Sequence, residues 1–162
     1  MIYITGRKIK CSQVIYSLNL NLVCMVGVFK LFLRMTSLIS EGVQVSVETF
    51  YQSDYSNPLQ SEFMFAYRIT LENHNSFPVK LHRRHWYIFD SNGTHREVEG
   101  EGVVGVQPTL QPGENYQYVS GCNLRTEMGK MYGTYEMENL SSKKMFSVKI
   151  PAFEMIVPMK NN

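Results

Sequence analysis

From Phe63 to Glu72 the chain alternates between two sides residue by residue. Phe63, Phe65, Tyr67, Ile69 and Leu71 fall on one side, and Met64, Ala66, Arg68, Thr70 and Glu72 on the other. A period of two marks a β-strand with one buried face. It excludes a helix, whose apolar stripe repeats every 3.6 residues. The pattern recurs along the chain. Val43, Val45 and Val47 alternate with Gln44, Ser46 and Glu48. Tyr116, Tyr118 and Ser120 alternate with Gln117 and Val119. Met131, Gly133, Tyr135 and Met137 alternate with Tyr132, Thr134, Glu136 and Glu138. Phe146, Val148 and Ile150 form a further run that ends at Pro151, and Phe153 to Val157 can extend it.

Turn signals separate these runs: the loop Asp54 to Ser61, the cluster Asn73 to Ser76, Pro112-Gly113, and Asn139 to Lys144. Asn92-Gly93 between two β runs predicts a hairpin, because both residues tolerate positive φ. Val79 to Asp90 is a longer run. Its apolar positions are odd at Val79 and Leu81, then of both parities from Trp86 to Phe89. That change predicts a bulge or burial on both faces, with Trp86 in the core. No helical period and no internal repeat interrupt the series. The chain reads as all-β: an antiparallel immunoglobulin- or fibronectin-III-like β-sandwich of seven to eight strands, with a small barrel as the alternative.

Charge divides the chain in two. Arg7, Lys8, Lys10, Lys30 and Arg34 lie in the first 34 residues, which hold no acid; the rest carries eleven basic against fourteen acidic residues. The net charge of +2 therefore hides a weakly acidic domain, which has no electrostatic footprint for nucleic acid. Residues 1–34 resemble a signal peptide or a short membrane span around Leu22 to Phe29. The uninterrupted apolar run is only about eight residues, against the roughly 20 that a span needs, and Asn19, Asn21 and Lys30 break it. Composition changes near Met35. Residues 1–34 are expected to be a leader outside the domain, with Met35 as the true start. An export signal and an extra helix are the alternatives. The domain is residues 35–162, with no membrane role expected.

Cys11 and Cys24 lie in the leader and leave Cys122 alone in the domain, which suits a reducing cytoplasm. No His with a supporting acid lies near Cys122 in sequence. A buried small residue after a turn, Ser120-Gly121-Cys122, is favoured over a nucleophile or redox sensor.

Three constellations could carry chemistry. Gly100, Gly102 and Gly105 form G-x-G-x-x-G. The dinucleotide-binding version needs a helix after it, and Pro108 and Pro112-Gly113 follow too soon. A glycine loop can still cradle an anion with its N–H groups. The plain alternative is that the glycines supply positive φ and close packing. Glu97, Glu99 and Glu101 share one face of an extended strand, a conceivable site for Mg²⁺ or Co²⁺ through hard oxygen ligands. The alternative is a solvated row opposed by Arg83 or Arg84. His82-Arg83-Arg84-His85 is the densest basic patch, and a guanidinium there suits phosphate. His82 and His85 should diverge unless a bulge turns one. No Ser-His-Asp order and no Cys-x-x-Cys appears, so an enzyme is not expected.

Taken together, the stretches Phe65-Ala-Tyr-Arg-Ile-Thr70, His85-Trp86, Asp90-Ser-Asn-Gly93, Val98-Glu-Gly-Glu-Gly-Val-Val-Gly105, Leu110-Gln-Pro-Gly113, Tyr118-Val-Ser-Gly-Cys122, Met131-Tyr-Gly-Thr-Tyr135 and Ile150-Pro-Ala-Phe153 resemble the ApaG family. The likeness runs from about Val43 to Pro158, and residues 1–34 have no counterpart in it. The resemblance implies a bacterial, cytoplasmic β-sandwich whose family name is associated with cobalt and magnesium efflux or resistance. Related domains in eukaryotic F-box and polymerase-interacting proteins look like protein-interaction modules. Nucleotide or pyrophosphate binding, as proposed for the family, would fall on Gly100, Gly102 and Gly105. The expected function is a non-catalytic binding or regulatory module that contacts a partner protein or a phosphate-containing anion. The alternatives are a metal-assisted nucleotide or pyrophosphate-processing enzyme and a purely structural interaction domain. Pairing through sheet edges makes a homodimer conceivable.

Overall fold

The alternating runs pair as antiparallel strands: β1 (Met35–Ser40), β2 (Val43–Tyr51), β3 (Phe63–Asn73), β4 (Val79–Asp90), β5 (His95–Glu101), β6 (Thr109–Leu110), β7 (Asn115–Leu124), β8 (Met128–Asn139) and β9 (Met145–Ile156). A computed structural model describes residues 35–158. The leader expected at residues 1–34 lies outside the described residues. One sheet runs β1-β2-β3-β7. The other runs β5-β4-β8-β9, with β6 paired to β4.

The core lies between the sheets and takes the inward positions of both. Phe63, Phe65, Tyr67, Ile69 and Leu71 of β3 are all buried, as are Val43, Val45 and Val47 of β2. They meet Leu81, Trp86 and Ile88 of β4, Met131, Tyr135 and Met137 of β8, and Val148 and Phe153 of β9. Aromatic edges lock the layers. Tyr67 of the first sheet stands edge-on to Trp86 of the second at 5.7 Å, and Trp86 stands edge-on to Phe153 at 5.9 Å. Such pairs add about 0.5–1.5 kcal/mol beyond the area they bury. The domain is therefore an antiparallel β-sandwich. Nine strands form where seven to eight are expected, because β1 shows no alternation in Met35 to Ser40 and β6 is only two residues long.

Other differences have local causes. Ser120, Gly121 and Cys122 lie inside β7, paired with Tyr67, Ala66 and Phe65, and not after a turn. The strand β9 continues through Pro151 because its register against β8 shifts between Met131 and Gly133. A proline fits an edge strand at such an irregularity, where no ladder hydrogen bond is lost. The Asn92-Gly93 hairpin forms, but of the two residues only Gly93 takes positive φ. Gly93 takes φ of 88°, and its N–H donates to the Asp90 carbonyl at 3.0 Å.

The two long sides of the sandwich differ. On one, the Lys149 N–H donates to Ser40 Oγ at 2.7 Å and Thr49 Oγ1 donates to the Glu154 carbonyl, tying β9 to β1 and β2. On the other, Arg96 of β5 reaches across to the Asn123 carbonyl of β7 at 2.6 Å. Among the described residues, no helix is long and apolar enough to cross a membrane.

Candidate binding face on the second sheet

A bulge in β4 sorts the basic patch. Leu81 pairs with Met137 and Arg83 with Glu136, so His82 is the extra residue between them. Without it His82 and His85 would point to opposite faces. With it, His82, Arg83 and His85 all take the outer face of the sheet and Arg84 turns inward opposite Tyr135. His82 Nε2 lies 2.8 Å from Glu138 Oε2. That hydrogen bond holds the Glu138 carboxyl below its usual pKa, with Lys143 assisting.

The Glu row of β5 lies on the same outer face, as its spacing predicts. Glu97, Glu99 and Glu101 stand opposite Tyr87, His85 and Arg83. His85 Nε2 lies 3.0 Å from Glu97 and Nδ1 lies 3.4 Å from Glu99, while Arg83 approaches Glu99 at 3.7 Å. Both ring nitrogens of His85 are thus engaged, and neither faces a substrate as a free base. Among the described residues, no group of three or more His, Cys, Asp or Glu is arranged to hold a metal ion.

Arg84 and the glycine loop meet on the inner side. Arg84 Nη1 donates to the Glu101 carbonyl at 3.0 Å and to the Gly102 carbonyl at 2.7 Å. A Cβ on Gly100 would lie 3.0 Å from Arg84 Nη1, so this glycine makes room for the guanidinium. The loop itself is a tight turn. Val103 and Val106 exchange N–H···O bonds, and both residues between them have positive φ, Val104 at 50° and Gly105 at 78°. That is the pattern of a type I′ turn. Gly102 also has positive φ, and its N–H donates to the His82 carbonyl at 2.8 Å. The element that follows is β6, not a helix. The loop N–H groups of Gly102, Val103 and Val106 are therefore spent inside the protein.

Cys122 is buried in β7. Burial pushes its thiol up to about 11, against the opposing pull of Arg96. It stays protonated at neutral pH and is a poor nucleophile.

The feature that sequence reasoning missed is a row of rings on the outer face. His85 packs on Tyr87 at 4.4 Å, Tyr87 stacks on Tyr132 at 5.1 Å, Tyr132 stacks on Phe89 at 5.6 Å, and Phe89 meets His95 at 4.2 Å. Lys130 Nζ sits 5.2 Å from the Phe89 ring centre. The signal was in the sequence: Tyr87 and Phe89 break the expected polar side of β4, and Tyr132 holds a polar position of β8. Beside the row lies a shallow hollow of about 200 Å³ lined by Arg83, Arg84, His85, Glu99, Thr134 and Glu136. A buried carboxylate, Asp90, anchors the hairpin beneath. Its Oδ1 accepts the Arg125 N–H at 2.7 Å and its Oδ2 lies 3.5 Å from Arg96.

Fold and face together define a small antiparallel β-sandwich with one aromatic outer face. The family model described as the ApaG domain matches residues 53–139. The chain belongs to the ApaG domain family. It is 45% identical over 124 residues to Protein ApaG of Brucella anthropi, covering 76% of this chain and 95% of that one. Protein ApaG of Brucella canis is 44% identical over the same length. Among solved structures, the putative ApaA protein from Bordetella pertussis is 40% identical with a TM-score of 0.70, covering 73% of this chain and 95% of that one.

Proposed function

We propose that this chain is a binding and regulatory module that acts by holding a partner protein and performs no chemistry of its own. The observation that carries this reading is the five-ring row from His85 to His95 on an outer sheet face. His85, Tyr87, Phe89 and Tyr132 are half-buried and His95 is exposed, on a face that an open sheet ordinarily keeps polar, and clustered rings at a surface mark contact sites. The engaged nitrogens of His85 and the protonated Cys122 support the absence of catalysis. In this reading the layout is immunoglobulin- or fibronectin-III-like, the setting is cytoplasmic, and the cobalt and magnesium association that the family resemblance implies is a regulatory role and not transport.

Two measurements test it. Phosphorus NMR of ATP and of pyrophosphate, with Mg²⁺ or Co²⁺, should be unchanged by the full chain; chain-dependent phosphate release would end the non-catalytic reading. Affinity capture from cells that make the protein should recover one recurrent partner in near-stoichiometric amount, and recovery of none would count against the module.

A second reading, a phosphate-containing anion beside Arg83, Arg84 and Gly100 to Gly105, has one observation in its favour. Among the described residues, Arg84 donates only to carbonyl oxygens and has no carboxylate partner. Titration with pyrophosphate should then give saturable amide shifts at these residues. A flat response at millimolar ligand retires it.

A further inference from the structure

The rings form a ridge whose faces are spent on one another. Tyr87, Tyr132 and Phe89 stack within about 20° of parallel, at 22° and 18°. They offer ring edges to a partner and no open face on which a base or sugar could stack. A side chain that packs against such a ridge is aliphatic or aromatic, as in the core of a protein interface.

The charges around the ridge select the rest of the partner. Glu97 and Glu99 lie against His85 and Arg83, whereas among the described residues Glu101 and Glu136 form no ion pair. Both lie on the outer face beside Arg83. The outer face of β4, β5 and β8 holds Glu97, Glu99, Glu101, Glu136 and Glu138 against Lys80, Arg83 and Lys130, so its surplus is negative. A second copy docked face to face would bring these carboxylates together, which opposes pairing. A basic partner gains where a second copy loses.

We propose that the outer face of β4, β5 and β8 docks a segment of a partner protein that is both apolar and basic. An aliphatic or aromatic side chain packs on Tyr87, Tyr132 and Phe89, and a Lys or Arg pairs with Glu101 or Glu136. This inference rests on the protein-binding reading above and names its surface and partner chemistry.

The test uses the full chain, backbone amide NMR, and two synthetic nonapeptides, one alternating Leu with Lys and one alternating Leu with Glu. The basic peptide should give saturable shifts centred on Tyr87, Phe89, Tyr132 and Glu136, with at least tenfold tighter binding than the acidic one. The Tyr87→Ser/Tyr132→Ser chain should lose at least tenfold in affinity. The Glu101→Lys/Glu136→Lys chain, whose changes are at the surface, should reverse the peptide preference and decides the matter if the tyrosine variant does not fold. Equal binding of both peptides, shifts centred elsewhere, or no saturable shift would overturn the proposal. A natural partner still captured at full strength by a folded Tyr87→Ser/Tyr132→Ser chain would overturn this surface while leaving the binding-module reading intact.

Discussion

At the scale of single residues, the glycine motif is explained by geometry. A Cβ on Gly102 would sit 2.1 Å from the Val106 carbonyl oxygen, at a φ of 54°. Gly102→Ala should therefore cost more than about 2 kcal/mol, whereas Gly105→Ala, which meets open space, should cost about 1 kcal/mol from its φ alone. Urea unfolding midpoints separate the two. Val104 is the converse case: a β-branched residue held at φ of 50° and half exposed. Left-handed backbone costs an ordinary residue about 1–2 kcal/mol. Val104→Gly should raise stability by up to about 1 kcal/mol in the same measurement, and a loss would mean that the valine packs better than its exposure indicates. Between the sheets, Tyr118 and Tyr135 share a buried hydroxyl–hydroxyl hydrogen bond. Removing one hydroxyl leaves the other unsatisfied, at about 1–3 kcal/mol, while removing both should cost less than the two single changes summed.

At the scale of elements, the strands were legible and their irregularities were not. Strict alternation predicts the buried residues Val43, Val45 and Val47 of β2 and Phe63, Phe65, Tyr67, Ile69 and Leu71 of β3, because one buried face leaves only one workable register, while Asn73, read as part of a turn, ends β3 buried. The bulge at His82 was anticipated only as one of two explanations for the mixed β4 pattern. A bulge depends on which residues the partner strand offers, and β8 is about fifty positions away. The strand β1 escaped because Met35, Leu38 and Ile39 stay exposed at a sheet edge, so burial imposes no pattern on them. The candidate face was half legible. The Glu row shares a face as its spacing requires, and Arg83 and Arg84 take opposite faces as adjacent strand residues do, but the bulge before them decides that Arg83 is the one beside the Glu row. The aromatic row was hidden because it is assembled from three strands. One element-level prediction follows from β8. A Cβ on Gly133 would lie 2.0 Å from the His85 carbonyl oxygen, so the two central strands approach closely there. Gly133→Ala should force β4 and β8 apart, lowering stability by more than about 2 kcal/mol and accelerating amide exchange in both strands, with β2 less affected.

At the scale of the whole molecule, the two sheets are joined through groups that must stay neutral. Burial raises the Tyr67 phenol to about 12, against a usual 10.0, and drives Tyr118 and Tyr135 well above the usual range. Below pH 10 both folded and unfolded chains keep these protons. Between about 10 and 12 the unfolded chain loses them and the folded one does not, so the unfolded state binds fewer protons and stability falls as pH rises. Urea midpoints should be flat with respect to these groups from pH 7 to 9, then drop steeply above 10. The Tyr118→Phe/Tyr135→Phe chain should show a shallower drop. In the proposed function the sandwich supports one binding face, the outer side of β4, β5 and β8. A photoreactive residue placed at Tyr87 in the living cell tests it most directly, with Gln117 on the opposite sheet as the comparison site. A discrete protein adduct from position 87, absent from position 117 and weakened by Glu101→Lys/Glu136→Lys, is the predicted result. Adducts from position 117 alone, or from neither position, would contradict the assignment of the second sheet as the binding face.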